Sequence, residues 1–144
     1  MKLPIPILLL AGFILLYGCS KTISISTTSE RYKDVAINKY IEGYNFYISS
    51  NNKYVLCTKE QEGTAINPAN HIDFFVYDVE KEIIVLEKAI DKGKVKWYSD
   101  FQIEVLSIPG NMAQGQTLDD YTKVYNLESG AVKTKSELKT EKKH

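Results

Sequence analysis

The run Ile72-Asp73-Phe74-Phe75-Val76-Tyr77 is apolar at every position except Asp73. A strand with one face in water alternates apolar and polar residues, whereas a strand that is covered on both faces is apolar almost throughout. We therefore expect residues 72–77 to form a central strand of a β-sheet. The fold class follows from the sequence on either side of this strand.

The sequence before the central strand predicts a β-hairpin. Tyr44, Phe46 and Ile48 alternate with more polar neighbours, which is typical of a half-buried strand. Turn-forming residues follow at 50–52, and residues 54–58 are an apolar return strand. This hairpin should lie next to the central strand.

After the central strand, short apolar runs continue to alternate with turn residues. Glycine, asparagine, aspartate and serine mark the turns, and a longer loop spans residues 109–120. The strands expected in this part of the chain are residues 83–86, 95–98, 102–107, 122–126 and 131–133. Short strands separated by turns at roughly eight- to twelve-residue intervals predict an all-β fold, an antiparallel meander of hairpins.

One segment of the chain is echoed 48 positions later. Val76-Tyr77-Asp78-Val79-Glu80 returns as Val124-Tyr125-Asn126-Leu127-Glu128, and each copy is an apolar strand followed by a turn. These units resemble the outer hairpins of β-propeller blades, which repeat about every 40–50 residues. The chain is too short for a closed propeller of about four or more blades. We therefore expect a blade-like or sandwich-like arrangement of hairpins, and we attribute the echo itself to shared turn chemistry rather than to a true repeat.

The N-terminus has the layout of a secretory signal peptide. Lys2 precedes an apolar core at residues 5–17, which is too short to cross a bilayer as a helix. The core ends in Leu16-Tyr17-Gly18-Cys19, which resembles the lipobox of bacterial lipoproteins, with a tyrosine where a smaller residue is usual. The resemblance implies a diacylglyceryl thioether on Cys19, cleavage just before it and acylation of the new amine. Ser20 in place of an aspartate implies sorting to the outer membrane.

These signals divide the chain into four parts. Residues 1–18 are the expected signal peptide, and residues 19–34 combine the lipidated Cys19 with a tether rich in serine and threonine. Residues 35–134 are the expected all-β domain. Residues 135–144 are rich in lysine and glutamate and are expected to form a disordered, charged tail, or at most a short helical turn.

The charge balance argues against a nucleic-acid partner. The 144 residues carry a formal net charge of +0. Loss of Lys2 and acylation of the amine would bring the mature chain to about −1. Nucleic-acid binding requires an excess of lysine and arginine that neutralises phosphates, and this chain has none.

The chain shows no recognisable catalytic, metal-binding or cofactor-binding motif. It has no Gly-rich phosphate loop, no zinc-type His/Cys spacing, no acidic calcium loop and no Gly-x-Ser-x-Gly. Cys57 lies in an apolar strand and is expected to be a small buried hydrophobic residue rather than a nucleophile. We therefore expect no catalytic residue, no metal and no cofactor. A hydrolase built on two carboxylates stays open, because it requires only that they meet in space.

Trp97 and Tyr98 are the candidate binding residues. Neighbouring lysine, serine and aspartate residues place polar groups beside the two rings. Exposed aromatic rings of this kind stack on sugars or anchor protein interfaces. The sequence thus predicts a non-enzymatic, membrane-anchored lipoprotein of the cell envelope that binds a protein or a glycan. The alternatives are a carboxylate-dependent envelope hydrolase and a structural subunit of an envelope complex.

Overall fold

The structure, a computed structural model, describes residues 30–65 and 69–142. The expected signal peptide, Cys19 and residues 20–29 of the expected tether lie outside the described residues. Within them, eight strands and two α-helices are formed. In chain order these elements are α1 (Arg31–Tyr40), β1 (Tyr44–Ile48), β2 (Tyr54–Gln61), β3 (His71–Asp78), β4 (Ile83–Ile90), β5 (Gly93–Ser99), β6 (Gln102–Ser107), β7 (Thr122–Asn126), β8 (Val132–Thr134) and α2 (Lys135–Glu141).

The strands form two antiparallel sheets of four, in the orders β1-β2-β3-β4 and β5-β6-β7-β8. Within each sheet, every strand pairs with the next one along the chain, so both sheets are meanders with the strand arrangement of a propeller blade. The expected all-β meander of hairpins is confirmed. Residues 72–77 lie in β3, between β2 and β4, and Phe74, Phe75 and Val76 are fully buried. The expected central strand is confirmed as well.

Apolar contacts stack the two sheets face to face, with α1 on the outer side of the first sheet. One cluster joins Tyr32 and Ala36 of α1 to β2 and β3. A second cluster fills the space between the sheets, and its buried members are Tyr54, Leu56, Phe74, Val76, Ile103 and Val105. On the far side of the second sheet, Leu138 of α2 shares a small cavity with Gln102 and Val124. The order of layers is therefore α1, first sheet, second sheet, α2.

The 48-residue echo corresponds to an equivalence between the two sheets. Val55 of β2 pairs with Tyr77 of β3, and the residues 48 positions later, Ile103 and Tyr125, pair in the same way. The equivalence extends to the next hairpin of each sheet, β3–β4 and β7–β8. Tyr77 pairs with Ile84, and Tyr125 pairs with Val132, 48 positions later. The second, third and fourth strands of the two sheets therefore share one register.

The turns after the two echoed strands also share their chemistry. Asp78 accepts hydrogen bonds from the backbone N–H groups two and three residues later, at 3.1 and 3.0 Å. Asn126 does the same at 3.0 and 2.9 Å. Both turns then place a residue in the left-handed region, Glu82 at φ 56° and Gly130 at φ 72°. The echo is thus a repeated structural unit, with the same turn in each copy.

One face of the second sheet differs in polarity from the equivalent face of the first sheet, because the two faces have different surroundings. The first sheet presents Tyr54, Leu56, Phe74 and Val76 to the second sheet, and all four are buried. The equivalent positions of the second sheet, 48 residues later, are Gln102, Glu104, Thr122 and Val124. Among the described residues, this outer face of the second sheet is covered by the short helix α2 alone, so polar residues are tolerated there.

The first wrong prediction is the end of the tether at residue 34. Residues 31–34 belong to α1, not to a tether, and α1 continues to Tyr40 in the part expected to be all-β. Tyr32, Ala36 and Tyr40 recur at helical spacing and face the first sheet. The Tyr32 ring meets Phe46 edge-on with the centroids 4.9 Å apart, a favourable aromatic geometry.

The second error concerns the tail, which was expected to be disordered, with at most a short helical turn, from residue 135. Instead, Lys135–Glu141 form α2. Its start is fixed by a capping box, in which Thr134 and Glu137 each accept a hydrogen bond from the other's backbone N–H group. Lys135 and Lys139 form ion pairs with Glu104 and Asp119 of the second sheet and its adjoining loop. These charged contacts hold a segment that has too little apolar surface to pack.

Candidate functional site

Trp97 lies on β5, half-buried at the edge of the space between the sheets. Its ring packs against the cluster between the sheets. Its Nε1–H donates a hydrogen bond to the backbone carbonyl of Tyr47 on β1, at 3.0 Å. The indole is therefore fixed between the first strands of the two sheets, with its only donor already used.

Tyr98 faces the opposite side of the second sheet. A β-bulge between Trp97 and Ser99 leaves Tyr98 without a cross-strand partner on β6. The ammonium group of Lys142, directly after α2, lies 6.0 Å from the centroid of the Tyr98 ring. The two candidate residues therefore do not form one exposed aromatic platform, and their role in binding stays a prediction.

Both residues nevertheless line a shallow groove of about 240 Å³, which we call the Trp97 groove. The other lining residues are Ile48, Ser49, Ser50, Ser99 and Asp100. The groove lies where the turn after β1 meets the turn after β5. The sequence could identify Trp97 as a candidate but could not place it beside β1, which lies 50 residues earlier.

The polar groups of the Trp97 groove differ in their availability. Ser49 is buried and bonds to Asn51 at 2.7 Å, and the Ser99 hydroxyl donates to Gln102 at 3.0 Å. Ser50 and Asp100 are exposed. The groove thus combines a fixed indole edge with one carboxylate and one hydroxyl in solvent. It can accept hydrogen bonds from a ligand through Asp100 while the ligand packs on Trp97 and Ile48.

The thiol of Cys57 is unsuited to nucleophilic catalysis. The side chain is fully buried between α1 and the first sheet, and it forms no disulfide with any described residue. Burial raises the pKa of Cys57 to about 12, so the reactive thiolate is absent near neutral pH. Its expected role as a buried hydrophobic residue is confirmed.

His71 forms a cluster with two aspartates that the sequence did not reveal. Its Nδ1 lies 2.7 Å from a carboxylate oxygen of Asp91, and its Nε2 lies 3.3 Å from Asp73. These hydrogen bonds, the one to Asp91 foremost, raise the pKa of His71. Since both ring nitrogens are engaged, neither is free to act as a general base. The spacing of His71 and Asp73 on one strand face was a usable signal, but Asp91 comes from the separate β4–β5 turn.

The adjacent acids Asp119 and Asp120 do not converge on one point. Asp119 pairs with Lys139, whereas Asp120 accepts the backbone N–H of Thr117 at 2.8 Å. Across residues 30–65 and 69–142, no group of three or more His, Cys, Asp or Glu side chains is arranged to hold a metal ion.

Neither helix in the described part of the chain has the length and apolar character needed to cross a membrane.

Comparison with known proteins adds no relative to this description. No protein-family model matches the chain, and neither a curated protein nor a solved structure shows significant similarity to it. A function must therefore be argued from the chain's own residues.

Proposed function

We propose that this chain is a lipid-anchored, non-enzymatic binding module of the bacterial cell envelope. The observation that carries the proposal is the run Leu16-Tyr17-Gly18-Cys19 at the end of a short apolar segment. Acylation at Cys19 would give the protein more than one acyl chain, and two chains are sufficient for stable membrane anchoring. The outer membrane is the proposed location, since Ser20 follows the cysteine.

The binding part of the proposal rests on the Trp97 groove. The groove offers an apolar wall, Trp97 and Ile48, next to an exposed carboxylate, Asp100, which has no ion-pair partner within residues 30–65 and 69–142. An apolar surface beside a polar group suits a protein side chain or a sugar ring. The partner is thus a protein or glycan of the envelope.

The anchor is tested by comparing the two cysteines. Cys19→Ala should release the protein from the membrane fraction and remove the lipid mass from the intact protein. Cys57→Ala is the matched control, because it also removes one thiol but should leave the protein in the membrane. Wild-type protein with an unmodified thiol at position 19 would refute the anchor.

The groove is tested by site-specific photo-crosslinking in cells. A photoreactive amino acid at Asp100 should capture a defined envelope protein or glycan, whereas the same probe at exposed Lys123, at the start of the inner strand β7, should not. Trp97→Phe with Asp100→Asn should reduce the capture severalfold from a third site, Ser50. Equal capture at Asp100 and Lys123 would contradict a specific groove.

A further inference from the structure

The chain enters the described domain at one end of the stacked sheets. Glu30 and Tyr32, at the start of α1, line a groove with Ile48, Asn52 and Val79, which belong to the strand ends and turns of the first sheet. Arg31 forms an ion pair with Glu82 in the β3–β4 turn. Glu30 and Arg31, the first described residues, therefore lie next to these turns.

The hairpin turns of both sheets lie at this same end, which we call the turn end. In the first sheet the turns are residues 49–53 and 79–82, and in the second they are residues 100–101 and 127–131. The two sheets point the same way, because Lys53 and Glu128 form an ion pair across them with the charged atoms 3.4 Å apart. Loop residues 62–65 and 69–70 and the long loop at 108–121 lie at the opposite end.

The turn end exposes large apolar side chains beside acidic ones. The apolar side chains are between 36% and 53% exposed and are Ile48, Ile83, Phe101 and Val132. Ionisable side chains at this end include more acids than bases: Glu30, Asp34, Glu80, Glu82, Asp100 and Glu128 against Arg31, Lys33, Lys53 and Lys81. Such an end repels an anionic surface but can bury apolar groups in a neutral lipid interface.

The length of chain between the anchor and α1 favours contact at this end. Eleven residue steps separate Cys19 from Glu30 and span at most about 36–40 Å. An eight-residue strand is about 27 Å long. The opposite end can reach the bilayer only if most of this link runs back along the sheets. The turn end can touch the bilayer in many more conformations of the link, which raises its effective concentration at the surface.

We propose that the turn end of the protein rests on the membrane, with Ile83, Phe101 and Val132 in contact with neutral phospholipid. This inference rests on the proposed lipid anchor at Cys19. In this orientation the loop residues 62–65, 69–70 and 108–121 point away from the membrane.

The test uses the full acylated chain in phosphatidylcholine vesicles. Phe101→Cys and, as the matched control at the opposite end, Leu118→Cys (47% exposed in the wild type) each carry a fluorophore. Cys57 is buried and Cys19 acylated, so only the introduced thiol is labelled. Brominated lipid should quench the label at position 101 at least threefold more than the label at position 118.

Equal quenching at both positions, or stronger quenching at position 118, would overturn the proposed orientation. A change in the fluorescence of the label at position 101 without quenching by brominated lipid would indicate contact with a second copy of the chain. That result would also overturn the proposed orientation. A mass spectrum without acyl groups on Cys19 would refute the anchor itself, whereas an acylated protein without quenching at position 101 would refute only the orientation.

Discussion

Thr58, on β2, is a buried threonine whose hydroxyl oxygen has no hydrogen-bond partner within the described residues. A buried polar group without a partner costs about 1–3 kcal/mol. Thr58→Val keeps the side-chain shape and removes that cost, so the free energy of unfolding in urea should rise by about 1 kcal/mol. Thr122→Val is the matched control, because the buried Thr122 hydroxyl donates to the carbonyl of Leu118 at 2.6 Å. It should lower stability, and a loss at both positions would contradict the argument.

Ile41 has the most strained backbone conformation of α1 and its surroundings. At φ 64° and ψ −59° it is the centre of a γ-turn, in which the Glu42 N–H donates to the Tyr40 carbonyl at 2.7 Å. A β-branched residue at positive φ costs of order 1–3 kcal/mol. Its side chain is 80% exposed and contributes little burial.

Ile41→Gly should therefore raise the free energy of unfolding by about 1 kcal/mol, as measured by urea denaturation. Ile37→Gly provides the control, because Ile37 is also exposed but lies inside α1. There glycine should lower stability by about 0.5–1 kcal/mol through its poor helix propensity. Stabilisation by both substitutions would show that strain at Ile41 is not the cause.

At the scale of elements, the strands were predictable and the helices were not. The alternation of apolar and polar residues and the turn residues predict the strand bounds to within a few positions, as for β1 at Tyr44–Ile48. The helix α2 has only Leu138 as an apolar contact, and its partners Glu104 and Asp119 come from distant parts of the chain. A pattern within residues 135–144 cannot contain that information. The Trp97 groove escaped prediction for the same reason, because one of its walls belongs to β1.

The attachment of α2 should depend on salt. Its contacts through Lys135 and Lys139 are partly exposed ion pairs, which salt screens. We expect the backbone amides of residues 138–141 to exchange severalfold faster in about 1 M NaCl than at low salt. The amides of α1 should change little, because apolar contacts hold that helix. Equal acceleration in both helices would contradict an ionic attachment.

The His71 cluster links β3 to the β4–β5 turn and should respond to pH. Hydrogen bonding to Asp91, followed by Asp73, raises the pKa of folded His71. The stability it contributes is therefore fully present below the unfolded pKa of about 6.5 and is lost as the pH rises through the folded value. The difference in free energy of unfolding between the wild type and His71→Gln should therefore decrease as the pH rises from the unfolded to the folded pKa of His71. An NMR titration should show a lower His71 pKa in Asp91→Asn, and an unchanged pKa would contradict the assignment.

At the scale of the whole molecule, the split into two sheets could not be read from the sequence. The segment Asp91-Lys92 between β4 and β5 resembles the other turns, yet it carries the chain from one sheet to the next. Alternate residues of β2 and β3 are apolar on both faces of the first sheet, and this indicates that each face is covered by another element. Leu56 and Phe74 face the second sheet while Cys57 and Phe75 face α1, so both faces must be covered.

The cluster between the sheets should make the two sheets unfold together. Phe74 is fully buried in it, and Phe74→Ala should cost about 3–5 kcal/mol. Amide exchange in β6 and β7 should then accelerate together with exchange in β2 and β3. Phe101→Ala, at a partly exposed ring, is the control and should change exchange in neither sheet. Acceleration confined to the first sheet would show that the sheets unfold independently.

The polar outer face of the second sheet has a consequence for self-assembly. Tyr54, Leu56 and Phe74 are the apolar counterparts of Gln102, Glu104 and Thr122 in the first sheet. If the three polar residues were apolar as well, the outer face of the second sheet would be an exposed apolar surface that favours association. Two molecules would then pair through these faces and form a dimer, because α1 covers the other side of the stack. The polar substitutions, covered by α2, leave no adhesive surface for a third layer, so the stack is self-limiting.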